Sequence, residues 1–335
     1  MRRYISIGLC LVTAGICKAA ATSNGSDFGY LVIFGDSYSD DGRGNYFWDN
    51  GAKQPPAGTN PPQTDVGWTG GLVWGQYVGN YTGATVYDYA IGGSTCSNTI
   101  IPKFNALYNV AVPSVLDEMI PAYENDTQTD LYSGVTAENT VYGLWIGTND
   151  LGVDAFLMDN QVAKTNLTTY VDCLWSVYDR IYAAGGRRFV ILNNNALQLA
   201  PVFRTPEQGG TGNGLYWGDK ENYNMTEYNQ KMMEYTVMTN RLISEGAPFN
   251  LLVQNRWPDA RIGVFDVNGL VTDIFNDPEQ YLEAPYNATW YYNDCPSEGC
   301  PADRLLDSYL WYDALHPSNK TSESYFLVNP CNELY

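Results

Sequence analysis

The stretch Tyr30-Leu31-Val32-Ile33-Phe34-Gly35-Asp36-Ser37 decides the fold. Its first five residues are apolar or aromatic without polar alternation, which suits a strand buried on both faces of a parallel sheet. Gly35 then permits a tight turn, and Ser37 stands at the carboxyl end of the strand. Open α/β sheets carry their ligand sites at that end. Four further short runs share this character, at residues 85–91, 141–146, 189–193 and 262–267. Helical patterns lie between them. Over residues 162–184, Leu167, Tyr170, Val171, Leu174, Val177, Tyr178 and Ile181 recur at three- and four-residue spacing, and Gly185-Gly186 stops the helix. A second helix is expected over residues 225–243. Alternating strands and helices predict a doubly wound α/β fold.

Four segments carry candidate chemistry. Ser37 is a candidate nucleophile, although Ser37 or Ser39 could equally cap a helix. If a helix begins there, its free N–H groups can also stabilise an oxyanion. Tyr89-Ala90-Ile91-Gly92-Gly93-Ser94 places two glycines after the second strand, where a bare N–H can approach a ligand; by itself it also reads as an ordinary turn. Ile146-Gly147-Thr148-Asn149-Asp150 ends the third strand, and the Asn149 amide is either an oxyanion donor or an N-cap. Asp313-Ala314-Leu315-His316-Pro317 contains the only histidine of the chain, with a carboxylate three residues before it. That spacing lets one turn hold both side chains on one side. The bland alternative is a capping Asp313 and a solvated His316. Asp40 and Asp41 could form a carboxylate pair, but read better as loop and cap residues. In a doubly wound sheet these four segments converge on one rim.

Taken in order, the blocks Gly35-Asp36-Ser37-Tyr38-Ser39-Asp40, Gly93, Gly147-Thr148-Asn149-Asp150 and Asp313-Ala314-Leu315-His316-Pro317 resemble those of the SGNH (GDSL-type) hydrolases. The chain is most similar to fungal acetylesterases of carbohydrate esterase family 16, through Phe34-Gly35-Asp36-Ser37-Tyr38 with Asp41-Gly42-Arg43, Asn45-Tyr46-Phe47, Gly83-Ala84, and Tyr89-Ala90 before Cys96-Ser97-Asn98. The resemblance implies a three-layer α/β/α sandwich with a five-stranded parallel sheet, flavodoxin-like in its layering. It implies Ser37 as nucleophile, His316 as base and Asp313 as the group orienting it. The oxyanion donors would be the N–H of Ser37, the N–H of Gly93 and the side chain of Asn149. Tyr38 stands where Leu is usual and Asp88 where Asn is frequent, and Gly92 beside Gly93 leaves two N–H groups to choose between.

The activity so implied is hydrolysis of acetyl esters on hemicellulose-derived (xylo- or manno-) oligosaccharides through an acyl-enzyme. A lipid-directed esterase or phospholipase, and a non-catalytic carbohydrate-binding protein, are the alternatives on this scaffold. The chain has 27 Tyr and 9 Trp, several in the long loops over residues 204–220 and 286–312; aromatic faces can stack on sugar rings. No Gly-X-Ser-X-Gly elbow and no phosphate-binding Gly-Lys-Ser/Thr loop occurs.

Residues 1–21 read as a secretory signal peptide, with Arg2 and Arg3 before an apolar run and Ala19-Ala20-Ala21 at its end. Residues 22–335 then form a single catalytic domain, and a secreted, extracellular product is expected. Loss of Arg2, Arg3 and Lys18 takes the formal charge of −19 to −22. Such acidity disfavours nucleic acid and anionic membranes as partners and suits a neutral acetylated carbohydrate or small ester. No later stretch reads as a membrane anchor, and a monomer is expected. Sequons at Asn24, Asn80, Asn125, Asn166, Asn224, Asn287 and Asn319 are glycosylation candidates, and Asn319 would bring the His316 loop to the surface. Cys295 and Cys300, with Pro and Gly between them, are expected to form a local disulfide; the pairing of Cys96, Cys173 and Cys331 stays open. One histidine and no paired cysteine clusters leave no metal site, and no cofactor is implied.

Overall fold

A computed structural model describes residues 28–293 and 304–327. Nine strands are present among them: β1 Tyr30–Gly35, β2 Thr85–Asp88, β3 Phe104–Asn105, β4 Val110–Ala111, β5 Thr140–Trp145, β6 Arg188–Leu192, β7 Arg261–Phe265, β8 Asn287–Tyr291 and β9 Tyr309–Trp311. The α-helices are α1 Arg43–Asp49, α2 Trp74–Thr82, α3 Ile120–Asp126, α4 Thr148–Leu151, α5 Leu167–Ala183, α6 Met225–Pro248, α7 Val267–Asn276 and α8 Asn319–Leu327. Five strands form one parallel sheet in the order β2-β1-β5-β6-β7. Helices α2, α8 and α7 neighbour one another in one layer, and α3, α5 and α6 in the other. The expected three-layer α/β/α sandwich is the fold.

The all-apolar β1 is fully enclosed between β2 and β5. Val32, Ile33 and Phe34 have no exposed surface, and each such side chain contributes about 1.5–3 kcal/mol on burial. Gly35 is required by packing: a Cβ there would lie 2.5 Å from the Trp145 carbonyl oxygen on the neighbouring strand. All five strand expectations fall on strands, with small errors at the ends. The largest is at β2, which stops at Asp88, three residues early. The Asp88 carboxylate accepts the N–H groups of Ala90 and Asp41, while single backbone bonds from Tyr89 N–H to the Ile33 carbonyl and from Ile91 N–H to the Gly35 carbonyl still tie the segment to β1.

Helix α5 begins at Leu167 and not at 162, because Asn166 caps it, accepting from the N–H groups of Thr168 and Thr169. Helix α6 runs five residues past its expected end, through Pro248. A disulfide joins Cys96, in the segment after β2, to Cys173 on α5. Closing a loop across 77 residues stabilises by about 4 kcal/mol on a chain-entropy account. The expected Cys295–Cys300 bridge, Cys331 and the signal segment lie outside the described residues. Among the described residues, no helix is long and apolar enough to cross a membrane.

Asn80, Asn125, Asn166 and Asn224 are exposed; Asn287 and Asn319 are partly buried, and Asn24 lies outside the described residues. The loop around His316 is partly exposed at Tyr312, Asp313, Ala314 and Asn319, but the His316 ring itself is not brought to the surface. The Asn319 N–H donates to the Thr69 carbonyl, its side chain packs on Gly71, and His316 is 2% exposed.

Candidate active site

The carboxyl ends of the sheet strands gather the site. After β1 the chain makes a turn, not the helix considered for it. The Asp36 carbonyl accepts from the N–H groups of Ser39 and Asp40, and the Asp36 carboxylate accepts from Tyr38 N–H. The Ser37 N–H is therefore left without a partner among the described residues, and its hydroxyl projects toward His316. Ser39 caps nothing; its Oγ accepts from the Trp74 indole N–H at 2.9 Å. Asp40 is the loop residue expected, gathering the N–H groups of Gly42, Gly44 and Gly92. That last bond separates the two glycines: Gly92 N–H is engaged at 2.8 Å, whereas Gly93 N–H has no acceptor among the described residues.

His316 arrives from the other end of the chain. β9 leads into a tight loop in which Tyr312 N–H donates to the His316 carbonyl at 2.8 Å and Ser318 N–H to that of Leu310 at 2.9 Å. His316 Nε2 lies 2.8 Å from Ser37 Oγ, and Nδ1 lies 2.9 Å from Asp313 Oδ2. These partners select the tautomer with Nδ1–H donating to Asp313 and Nε2 accepting from the Ser37 hydroxyl. Asp313 Oδ1 also accepts from the N–H groups of Leu315 and His316, so it caps this turn and orients the ring at once. Burial pushes the Asp313 carboxyl up, but the charge of His316 and the bonds from its ring and backbone outweigh it and hold the carboxyl below the usual range.

Asn149 lies in the first turn of α4 and makes no cap bond. Gly147 precedes it with φ 136°, a conformation that L side chains rarely adopt. The Asn149 amide donates to the Ser94 carbonyl at 2.9 Å and, at the long distance of 3.4 Å, to Asp36 Oδ2. The contact to Asp36 is the weaker of the two.

Three aromatic residues, of which only Tyr38 lies within a block read from the sequence, complete the surroundings of His316. Trp68 stacks on the imidazole, centroids 5.3 Å apart. Tyr38 meets it edge-on at 5.6 Å and donates its hydroxyl to the Leu315 carbonyl. Tyr216 meets it at 5.5 Å and donates to Asp313 Oδ2 at 2.7 Å. Trp68 also lies over Gly92, since a Cβ there would be 2.8 Å from its Nε1, and one on Gly93 would be 3.7 Å from Val112 Cγ1. Thr211, Asn213, Tyr216, Trp290, Asn293 and Asp313 line a cleft of about 430 Å³.

Buried carboxyls surround the sheet edge. Burial, then the charge of Asp150, pushes Asp36 up to about 7; burial pushes Asp150 up to about 7. Burial, then the neighbouring Asp40, does the same to Asp41, and Asp88 is driven well above the carboxylate range by burial and by Asp41. The unfolded chain releases these protons near pH 4, while the folded chain keeps them to near neutrality. Between those limits the native state binds more protons, so stability rises as pH falls through about 7. Asp36, Asp41 and Asp150 each contribute at most about 4 kcal/mol to this effect. Asp313 works in the opposite sense, but only below its unfolded value near 4. The melting midpoint is expected to be several degrees higher at pH 5 than at pH 8. Calorimetry across that range giving a flat or rising profile toward pH 8 would contradict the assignment.

The profile of the GDSL-like lipase/acylhydrolase family matches residues 31–326. An acetylesterase of Hypocrea jecorina is 53% identical over 296 residues, 88% of this chain and 85% of that protein. An acetylesterase of Thermothelomyces thermophilus is 32% identical over 218 residues, 62% of this chain and 66% of that protein.

Proposed function

We propose, from the premise that the chain belongs to the GDSL-like lipase/acylhydrolase family, that it is an acetylesterase in which Ser37 is the nucleophile. The observation that carries this reading is the unbroken line Ser37 Oγ–His316 Nε2 at 2.8 Å and His316 Nδ1–Asp313 Oδ2 at 2.9 Å. Ser37 attacks the ester carbonyl while His316 takes its proton. The C–O bond of the ester breaks as His316 returns that proton to the departing alcohol. Water then repeats the cycle on the acyl-enzyme, and acetate leaves. Asp313 stays ionised throughout and stabilises the imidazolium. The N–H groups of Ser37 and Gly93, with the Asn149 amide, face the developing oxyanion; one such donor is worth about 3–4 kcal/mol.

Two features support a short acyl group and a sugar alcohol. Trp68 over Gly92 and Val112 beside Gly93 place bulky side chains next to the oxyanion side. The cleft beside Asp313 combines the half-exposed Trp290 with Thr211, Asn213 and Asn293, the mixture of aromatic face and neutral polar groups that sugars bind. An exported protein is consistent with the Cys96–Cys173 disulfide, which needs an oxidising compartment.

Exposed Phe104 and Leu107 on the β3–β4 hairpin, with exposed Leu215 at the cleft beside Asp313, favour a lipid-directed esterase. A series of 4-nitrophenyl esters separates the two readings. kcat/KM is expected to fall steadily from acetyl to octanoyl; a rise with chain length would sink the acetylesterase reading and favour the lipid one.

A further inference from the structure

We infer that Tyr216 is a positioning residue for the catalytic pair, acting through Asp313, and that it helps set how far into acid the enzyme stays active. The inference rests on the Ser37–His316–Asp313 reading above and adds a fourth group to it. Tyr216 Oη lies 2.7 Å from Asp313 Oδ2 and 3.2 Å from His316 Nδ1. Its hydroxyl proton goes to the carboxylate, because Nδ1 already carries the proton that Asp313 accepts. Asp313 thus receives four donors: Leu315 N–H, His316 N–H, His316 Nδ1–H and Tyr216 O–H. The phenol keeps this proton, since burial and then the charge of Asp313 push Tyr216 far above its ordinary range.

The loop is built to hold that hydroxyl still. Gly214 and Trp217 exchange backbone bonds across a tight turn that contains Tyr216. Trp217 is buried against Phe203, Tyr223 and Tyr228. Lys220 is buried without a carboxylate partner among the described residues; its ammonium donates to the carbonyls of Arg204 and Thr211 at 2.9 and 2.7 Å. Val202 N–H donates to the Ala314 carbonyl, tying the loop's base to the Asp313–His316 segment. A tyrosine that merely filled space would need none of this alignment at its hydroxyl.

The chemical consequence has a definite sign. A donor on Oδ2 draws charge away from the side of Asp313 that faces His316. Without it the carboxylate holds the imidazolium more strongly, and the base stays protonated to higher pH. The other titratable groups facing this pair are Tyr38 and Tyr312. Neither of them donates to Asp313, and both remain in place when Tyr216 becomes Phe.

The test is Tyr216→Phe, which keeps the ring against His316 and removes only the hydroxyl. With 4-nitrophenyl acetate, kcat is expected to fall about tenfold, the size of one lost hydrogen bond to a charged group, with KM little changed. The acid limb of kcat/KM is expected to move to higher pH. In an Asp313→Asn background the same substitution should have almost no further effect. A kcat and acid limb equal to those of the unaltered enzyme would overturn the inference, as would an undiminished tenfold loss in the Asp313→Asn background. Either result leaves the Ser37 reading standing, because that reading fails only through Ser37 and His316 themselves.

Discussion

Replacing Ser37 by alanine is expected to lower kcat/KM toward acetyl esters by about 10⁴- to 10⁶-fold while leaving the fold intact. The size follows from the hydroxyl's place in the chemistry: with no Oγ there is no acyl-enzyme, and only the oxyanion donors and bound-substrate orientation are left. The stability cost is small because the Ser37 hydroxyl bonds only His316 among the described residues. Losing that bond costs about 1 kcal/mol, within the reach of an ordinary melting experiment. Stopped-flow or steady-state assays with 4-nitrophenyl acetate measure the loss. Activity surviving within tenfold of the unaltered enzyme would remove Ser37 as nucleophile.

His316→Gln is the second large effect, again about 10⁴-fold or more in kcat. Glutamine can occupy the space and keep a hydrogen bond toward Ser37 or Asp313, but it cannot take a proton near neutral pH. The chain contains no second histidine, so no neighbouring imidazole can substitute. A smaller replacement, His316→Gly, offers a complementary readout: added imidazole should restore part of the activity by occupying the vacated space. Near-normal turnover in His316→Gln would exclude His316 as the base.

The parts of the site that lie within a few residues of a strand end were legible from the chain alone. Ser37, Gly93 and Asn149 come two, five and four residues after β1, β2 and β5, and a largely apolar run followed by glycine leads into each. His316 was legible for a different reason, being the only imidazole. What stayed hidden reaches the site from long loops without periodicity. Trp68 and Tyr216 stand in such loops, and nothing at their positions announces that one ring covers Gly92 and the other hydroxyl meets Asp313. The Cys96–Cys173 pairing is of the same kind, set by how the segment after β2 lies on α5. Capping alternatives were resolved only by geometry: Asn149 turned out to cap nothing, whereas Asp313 both caps a turn and meets His316. The choice between Gly92 and Gly93 depended on Asp40, whose carboxylate engages Gly92 alone. The proton-holding carboxyls Asp36, Asp41, Asp88 and Asp150 read as ordinary acids in sequence, because burial is a property of the assembled sheet edge.

The central claim is that an acetyl group passes through Ser37. Rapid quenching during turnover of an acetyl ester, followed by peptide mapping in a mass spectrometer, tests it most directly. One acetyl group is expected on the peptide containing Ser37, with none in the Ser37→Ala protein. An acetyl group on another residue, or turnover in which water attacks with no acetylated enzyme formed even under single-turnover conditions, would contradict it.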